Sequence, residues 1–471
     1  MAGPADGNGV FDVTIIGAGP GGYVAAARAG ALGLKVALIE KDPHLGGTCL
    51  HVGCIPTKAM LHASDVYAEI KEASRYGIIA ENVKIDWSKI MGHKNQVVKT
   101  MASGVSGLMK QRGVTVFQGF GTMQGGGRVV VAGSAGNQEV KAKHIIIATG
   151  GVPKPLPFAP FDGKRVMSSD HIVNLDHLPG SITIIGGGVI GLEFASLFAR
   201  LGTKVTVLEA LPTILAAADP DVIKELHGAL TRQGVAIHTG AKVAAVEPGK
   251  DDVAVRAAMA DGTTQVFKSE ICLVSVGRTP LTQKLGLQNT KVKVERDHIM
   301  MKDLQRTDDP DVSAIGDVRP GPWLAHVSSA EGIVAVERLA GKKPEALDFI
   351  KVPSCVYTEP GVAWCGLTEA QAKEKGHTVK VGKFSFAASG KANILLQRRG
   401  FIKLITDAKY GELLGAHIIG PGATDLIAEP AFALKIEATA EDIARTVHAH
   451  PTLYEGIMEA AMDAAGLGGT H

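Results

Sequence analysis

An α/β fold, with two Rossmann-like dinucleotide-binding domains and a C-terminal α+β domain, is what the sequence predicts, and three observations predict it. A strand, a glycine-rich turn, a helix and a second strand ending in an acid occur near the start of the chain and again from residue 181. The 58 glycines gather at strand–helix junctions without a fixed period, as tight turns in an α/β chain require. From residue 352 the pattern changes to alternating strands without a glycine fingerprint. A length of 471 residues leaves room for about three domains.

In the first unit, residues 11–16 form an apolar strand, Gly17-Ala18-Gly19-Pro20-Gly21-Gly22 the turn, and an Ala-rich stretch to residue 32 the helix. A second strand, 35–39, ends in Glu40. The first glycine permits the tight turn, the second lets a pyrophosphate approach the backbone, and the third lets the helix pack on the strand. The free N–H groups of the helix then face the phosphates. Glu40 stands 18 residues after Gly22, the right distance for an acid that binds ribose hydroxyls. With this full context the motif reads as a nucleotide site rather than a plain turn.

Gly46-Gly47-Thr48-Cys49-Leu50-His51-Val52-Gly53-Cys54-Ile55-Pro56-Thr57-Lys58 follows. Residues 59–73 and 87–111 read as helices and 114–117 as a strand leading to Gly119-Phe120-Gly121. Residues 122–142 read as a small antiparallel insertion, and 143–148 as a buried strand ending in Thr149-Gly150-Gly151. Prolines at 153, 155, 157 and 160 mark a boundary.

The second unit repeats the first. Strand 182–185, turn Gly186-Gly187-Gly188-Val189-Ile190-Gly191, helix 192–201 and strand 204–208 end in Glu209, again 18 residues past the third glycine. A carboxylate there accepts from a free ribose 2′-hydroxyl and repels a 2′-phosphate, so the second site favours NAD over NADP. Residues 219–234 read as a helix, short strands run to 275, and Gly277-Arg278-Thr279-Pro280 closes the unit. Strand 312–315 with Gly316-Asp317 and helix 326–339 return to the first domain. The last part has strands at 352–358, 361–366, 379–386, 401–406 and 413–419, with helices near 368–375, 422–434 and 452–464. The expected domains are 1–152, 153–280, 281–351 and 352–471.

Hydrophobic content of 45%, charged content of 20% and a formal net charge of +2 describe an ordinary globular chain. They give no reason to expect a nucleic-acid or membrane partner. No apolar run reaches the ~18 residues of a membrane span, and residues 1–10 lack the regions of a signal peptide. The expected location is cytoplasmic.

Five cysteines, at 49, 54, 272, 355 and 365, are too few for a disulfide scaffold. Cys49 and Cys54 can close a disulfide if the turn between them brings their Cα atoms to about 4.4–6.8 Å. A helix N-terminus lowers a thiol's pKa, and Lys58 shares a helix face with Cys54. A zinc site needs about four ligands; the other cysteines lie in strand-like stretches elsewhere, and His51 does not complete a set, so no metal is expected. Two nucleotide sites and a redox thiol pair imply a two-electron relay. Nicotinamide exchanges hydride, a dithiol exchanges with an external disulfide, and a flavin links the two. FAD then belongs to the first fingerprint and NAD to the second. Near the C-terminus, His450 and Glu455 flank Pro451. They read either as a base and its orienter or as a helix start with an acid near the dipole.

From Phe11 to about Ala464 the chain resembles the pyridine nucleotide–disulfide oxidoreductases, and among them most of all the dihydrolipoamide dehydrogenases. Both fingerprints, the cysteine stretch, Ala314-Ile315-Gly316-Asp317 and His448-Ala449-His450-Pro451-Thr452 occur in family order. The resemblance implies that Cys49 is the interchange thiol and that Cys54 lies against the flavin. Lys58 sits by the flavin ring and pairs with Glu193. Gly47, Thr48, Gly121, Thr149, Gly150, Asp317 and Ala325 join the first fingerprint in holding FAD. Val243 and Gly277 join the second in holding NAD. His450, oriented by Glu455, is the acid/base and comes from the other subunit of a homodimer, which makes the last domain a dimerisation domain. The implied reaction is oxidation of a dihydrolipoyl group by NAD⁺, with lipoyl-bearing proteins of a 2-oxoacid dehydrogenase complex or a glycine cleavage system as partners. Its course is thiol–disulfide exchange at Cys49–Cys54, then electron transfer by way of FAD to NAD⁺.

Three places depart from the family pattern: His51 stands where Asn is usual, Val327-Ser328-Ser329 where charged sequence is common, and Tyr454 inside the His–Glu segment. A glutathione-reductase-like activity is the alternative, opposed by Glu209 and Thr57. A mercuric reductase is opposed by a tail, 464–471, without cysteines. A non-catalytic nucleotide-binding scaffold is opposed by the intact cysteine pair and His–Glu dyad.

Overall fold

The computed structural model describes residues 9–469. The reading of the N-terminal tail up to residue 8, and of Thr470 and His471 in the cysteine-free tail, lies outside the described residues. Three main sheets carry the architecture. The first runs in the order Thr115–Gln118, Val36–Glu40, Val10–Ile16, Gly136–Ile147, Arg128–Gly133, Phe120–Gly125, with Val312–Ala314 pairing beside Gly136–Ile147. Its centre is parallel. Val13, Ile15, Leu38 and Ile146 are fully buried there, as a sheet covered on both faces demands.

Helices Pro20–Ala31 and Ala325–Leu339 cross on this sheet. The crossing is close because it is built on glycine: a Cβ on Gly332 would come within 2.7 Å of the Gly21 carbonyl oxygen. Two helices from distant parts of the chain are thereby packed backbone against backbone.

One expected division is absent. The insertion and the buried strand share a single 12-residue strand, Gly136–Ile147. Its exposed first half pairs antiparallel with Arg128–Gly133 and its buried second half parallel with Val10–Ile16. The switch from polar to apolar residues along it marks a change of neighbours, not a break.

The second sheet is parallel, in the order Ala236–Thr239, Lys204–Glu209, Ser181–Ile185, Ile271–Val274, Val166–Met167. A three-stranded antiparallel sheet, Lys242–Pro248, Val253–Ala258 and Thr264–Ser269, adjoins it. The third main sheet is antiparallel, in the order Ser354–Val356, Gly361–Gly366, Leu413–Gly420, Phe401–Asp407, Val379–Ser385. Helix Glu455–Ala465 lies on it.

Several helix ends differ from expectation. The helix expected at 59–73 begins at Cys54 and ends at Lys71. That expected at 422–434 is two pieces, Ala423–Leu426 and Ala428–Lys435. The last begins at Glu455, not 452. A short helix, Ala440–Arg445, went unpredicted although Thr439 and Asp442 form a reciprocal capping box. Among the described residues no helix is long and apolar enough to cross a membrane.

Candidate redox site

The two fingerprints have the same backbone solution. Gly17 has φ +103°, and a Cβ there would lie 2.4 Å from the Ala148 carbonyl oxygen; Gly186 has φ +110° and the same relation to the Ser275 carbonyl at 2.6 Å. The acids are held alike. Glu40 accepts from the Ala18 N–H at 2.7 Å and the Asp42 N–H at 2.9 Å. Glu209 accepts from the Gly187 N–H at 2.6 Å and the Leu211 N–H at 2.7 Å. Each carboxylate is thus fixed at the mouth of its turn, with lone pairs left for ribose hydroxyls. Gly19, Pro20, Gly188, Val189 and Ile190 stand at the N-termini of the two following helices.

The surroundings of the first turn fit FAD. Gly47, at φ +60°, packs so closely that a Cβ would meet the Gly19 Cα at 2.6 Å, and Thr48 follows it on the short helix Gly47–His51. Gly121 sits against Ile16 and Ile39 beside the turn. The Thr149 hydroxyl donates to the Leu281 carbonyl at 2.6 Å, and Gly150 continues that loop at φ +69°. Asp317 follows strand Val312–Ala314. Burial pushes its carboxyl pKa up, against the pull of Arg278 and Arg319; the Arg278 Nε is 3.8 Å from it. Ala325 begins helix Ala325–Leu339. Beside the second fingerprint, Gly277 has φ +120° and Val243 lies at a bulge in Lys242–Pro248.

Cys49 lies in helix Gly47–His51, and Cys54 opens helix Cys54–Lys71. Neither is in a disulfide in the structure, and each is the largest influence on the other's acidity. Their environments separate them. The neighbouring Cys49 draws Cys54 down to a pKa of about 7, against burial and with Lys58 helping. Cys49 itself is pushed up, by the adjacent Cys54 and by burial. One thiolate is therefore favoured at the pair, and the Lys58 ammonium supports it on Cys54.

Lys58 Nζ donates to both Glu193 carboxylate oxygens, at 2.8 and 2.7 Å. Glu193 is on the second fingerprint helix Val189–Arg200, and its side chain is 4% exposed. Its Oε1 also accepts from the Tyr357 N–H at 3.0 Å, while the Tyr357 ring lies under the Lys58 ammonium at 4.6 Å. The redox helix, the second fingerprint helix and the edge of the third sheet meet at this one ion pair.

His450 is elsewhere. Its Nδ1 is 2.7 Å from Glu455 Oε1, and the Thr452 N–H holds the other carboxylate oxygen at 2.8 Å. The side chain of His450 is 74% exposed and that of Glu455 17%. With Nδ1–H assigned as donor by its carboxylate partner, Nε2 faces outward as an acceptor. The same domain exposes Phe432, Ile436 and Val447, the last at 95%. A second pair, His448 with Glu429 at 2.8 Å, ties the dyad's segment to helix Ala428–Lys435.

Sequence reasoning missed Tyr357, the Arg278 contact to Asp317 and the buried Arg319–Glu331 pair. None has a local pattern that would reveal it. His51 is accounted for by a bond to the Leu45 carbonyl at 2.9 Å and a stacked contact with His44.

Residues 11–332 match the family model described as pyridine nucleotide-disulphide oxidoreductase, and residues 352–461 match that family's dimerisation domain. The chain is 43% identical over 467 residues to dihydrolipoyl dehydrogenase of Bacillus subtilis, covering 97% of this chain and 98% of that one. It is 42% identical over 460 residues to dihydrolipoyl dehydrogenase 3 of Pseudomonas aeruginosa, with the same coverage. Among solved structures it is similar to LpdA from Mycobacterium tuberculosis, with a TM-score of 0.89 at 26% identity over 95% of this chain and 98% of that one. It is also similar to a Cu(II) complex of the HOCl-induced flavoprotein disulfide reductase RclA from Escherichia coli, with a TM-score of 0.86 at 27% identity over 96% and 99%.

Proposed function

We propose that this chain, which belongs to the pyridine nucleotide-disulphide oxidoreductase family, is a dihydrolipoyl dehydrogenase that oxidises protein-bound dihydrolipoyl groups with NAD⁺. The observation that carries the reading is the cysteine pair itself, Cys49 in helix Gly47–His51 beside Cys54 at the start of helix Cys54–Lys71, with the latter helix joined to the second fingerprint helix through Lys58 and Glu193. Its relatives at 42–43% identity over nearly the whole chain carry that activity in their names.

The residues divide the work as follows. His450 of the partner subunit, held by Glu455, takes the proton from one substrate thiol at Nε2. The resulting thiolate attacks Cys49 in the oxidised pair, breaking the Cys49–Cys54 bond and releasing Cys54 as a thiolate. The second substrate thiol closes the lipoyl disulfide and expels Cys49, which takes up a proton. Lys58 holds the charge on Cys54. FAD, when bound, supplies two-electron exchange between this pair and the nicotinamide. Glu40, Asp317, Thr149, Gly150 and the Ala325 helix start would hold FAD, and Glu209 with Gly186–Gly191 would hold NAD.

The homodimer follows from the dimerisation-domain match over 352–461, and the outward-facing His450 suits a site completed by a second chain. The domain division stated above belongs to the same reading and is supported by the separate sheets. So do lipoyl-bearing partner proteins, and a cytoplasmic location, where a cycling thiol pair suits the reducing environment. The test is direct. NADH added to the holoenzyme produces a long-wavelength thiolate–flavin absorbance that Cys54→Ser abolishes, and dihydrolipoamide is oxidised far faster than glutathione. A wild-type enzyme with no such band, or with glutathione as the better substrate, would refute the assignment.

A further inference from the structure

We infer that Lys403, on the C-terminal sheet, is a positioning residue for the NAD site, because it anchors the segment that braces the second fingerprint. The inference rests on the reading of that fingerprint as the NAD site. The Lys403 side chain is 6% exposed, and its main partner Asp219 is 1% exposed. Nζ lies 3.1 and 3.0 Å from the two Asp219 oxygens, 3.2 Å from Asp221 and 3.6 Å from Glu369. A buried ammonium is tolerated only when so compensated. Asp219 is also the N-cap of helix Pro220–Arg232, accepting the Asp221 N–H at 3.0 Å. His417, the cross-strand neighbour of Lys403, is fully buried and bonded to the Leu367 carbonyl at 3.0 Å. Burial lowers its pKa, so it adds no competing charge.

Asp219 ends a segment that starts at Glu209. At the near end Glu209 binds the Leu211 N–H, and the Leu211 carbonyl accepts from Gly240 at 2.8 Å. In the middle the Leu215 N–H donates to the Gly187 carbonyl at 2.9 Å. Ile214 packs so close to Gly187 that a Cβ there would stand 3.0 Å from its Cγ2. Leu215 makes its bond at φ +47°, although it is a buried leucine, 4% exposed. L-residues avoid that region, and such strain persists only where the surroundings over-determine it. The Ala218 N–H bonds back to the Leu215 carbonyl at 2.9 Å, one residue before the Lys403 anchor. The strained turn under the fingerprint is therefore clamped at one end by the nucleotide acid and at the other by a lysine from a different sheet. Releasing that lysine lets Leu215 relax and withdraws the support from Gly187, so the site binds nucleotide from a smaller competent population.

The test uses the holoenzyme and two readouts: half-saturation by NADH in flavin reduction, and KM for dihydrolipoamide. Lys403→Met removes the anchor. The double variant Asp219→Asn with Lys403→Met removes it without leaving a buried unpaired carboxylate, and keeps a capping side chain. Both raise NADH half-saturation about tenfold, while the limiting rate and the dihydrolipoamide KM stay within about twofold, and Lys403→Arg restores NADH binding. NADH half-saturation within twofold of wild type overturns the inference. So does an equal rise for both substrates, or a double variant that cannot retain FAD, which would make the cluster merely structural. A wild-type enzyme that NADH does not reduce would instead overturn the proposed function, and this inference with it.

Discussion

Replacing Lys58 with Met tests the charge arrangement around Cys54. The ammonium is one of the causes that lower the Cys54 pKa to about 7, while Glu193 acts in the opposite sense. In the variant the lowering cause is gone, and the Glu193 carboxylate loses the partner that met it at 2.7 and 2.8 Å. Both changes push the thiol up. An opposite charge nearby is worth about one to three pKa units, and the neighbouring Cys49, the largest lowering cause, remains, so a rise of about one to two units is expected. At pH 7 the thiolate fraction then falls from about one half to about one tenth or less, and thiol–disulfide turnover falls with it. The assay is the ultraviolet thiolate absorbance of the dithionite-reduced holoenzyme as a function of pH. The background is clean, because burial pushes Cys272, Cys355 and Cys365 up to about 12, 11 and 12. A single thiolate titrates below roughly pH 9 in the wild type. A midpoint unmoved or lowered in Lys58→Met would refute the argument; Glu193→Gln should move it down.

The other predictions concern the cofactor acid, the dimer and acid stability. Glu209→Ala removes the acceptor for two backbone N–H groups and the one proposed for the ribose, so NADH efficiency should fall about 10- to 100-fold, at about 1.5–3 kcal/mol for a hydrogen bond to a charged group. NADPH should lose less, and equal use of the two by the wild type would contradict the role given to Glu209. His450→Gln and Cys49→Ser homodimers should each be inactive in dihydrolipoamide oxidation, whereas random heterodimers carry one competent site and restore about a quarter of wild-type activity; confirmed heterodimers without activity would sink the shared site. His144 is held at about 4 by burial, then by Arg338, against an ordinary 6.5. The unfolded chain therefore takes up this proton first as the pH falls. The stability contributed by neutral His144 is complete above about pH 6.5 and is lost towards pH 4, up to about 3 kcal/mol. Urea midpoints should fall across that window, and less steeply in His144→Gln.

How much of this was legible in the chain depends on whether the cause is local. The fingerprints were, because a backbone that must turn at φ +103° and +110° with a carbonyl 2.4–2.6 Å from any Cβ leaves only glycine. The acids at 40 and 209 were legible for the same reason: each closes onto its own turn through the N–H of the residue after the first glycine. The helix ends were less so, since the helix at Cys54 starts after Gly53 without a capping side chain. The continuous strand Gly136–Ile147 was hidden because burial, not chain direction, changes along it.

The pairings that make the site work are of another kind. Lys58 and Glu193 are 135 positions apart, and Lys403 and Asp219 184. Spacing alone placed Lys58 on the helix face of Cys54, but its partner Glu193 came only through the family resemblance, and nothing in the residues flanking Lys403 distinguishes it from a solvated lysine. Yet both pairs share a logic that the structure makes plain. A lysine reaches across to a nearly buried acid beside the second fingerprint, Glu193 on its helix and Asp219 beyond its acid. Through these two lysines the second nucleotide site is tied on one side to the redox helix and on the other to the sheet beneath helix Glu455–Ala465. A nucleotide that binds more tightly when those anchors are in place must, by linkage, favour the anchored arrangement in return. The two ion pairs are therefore where an effect of NADH on the geometry around Cys54 is to be sought.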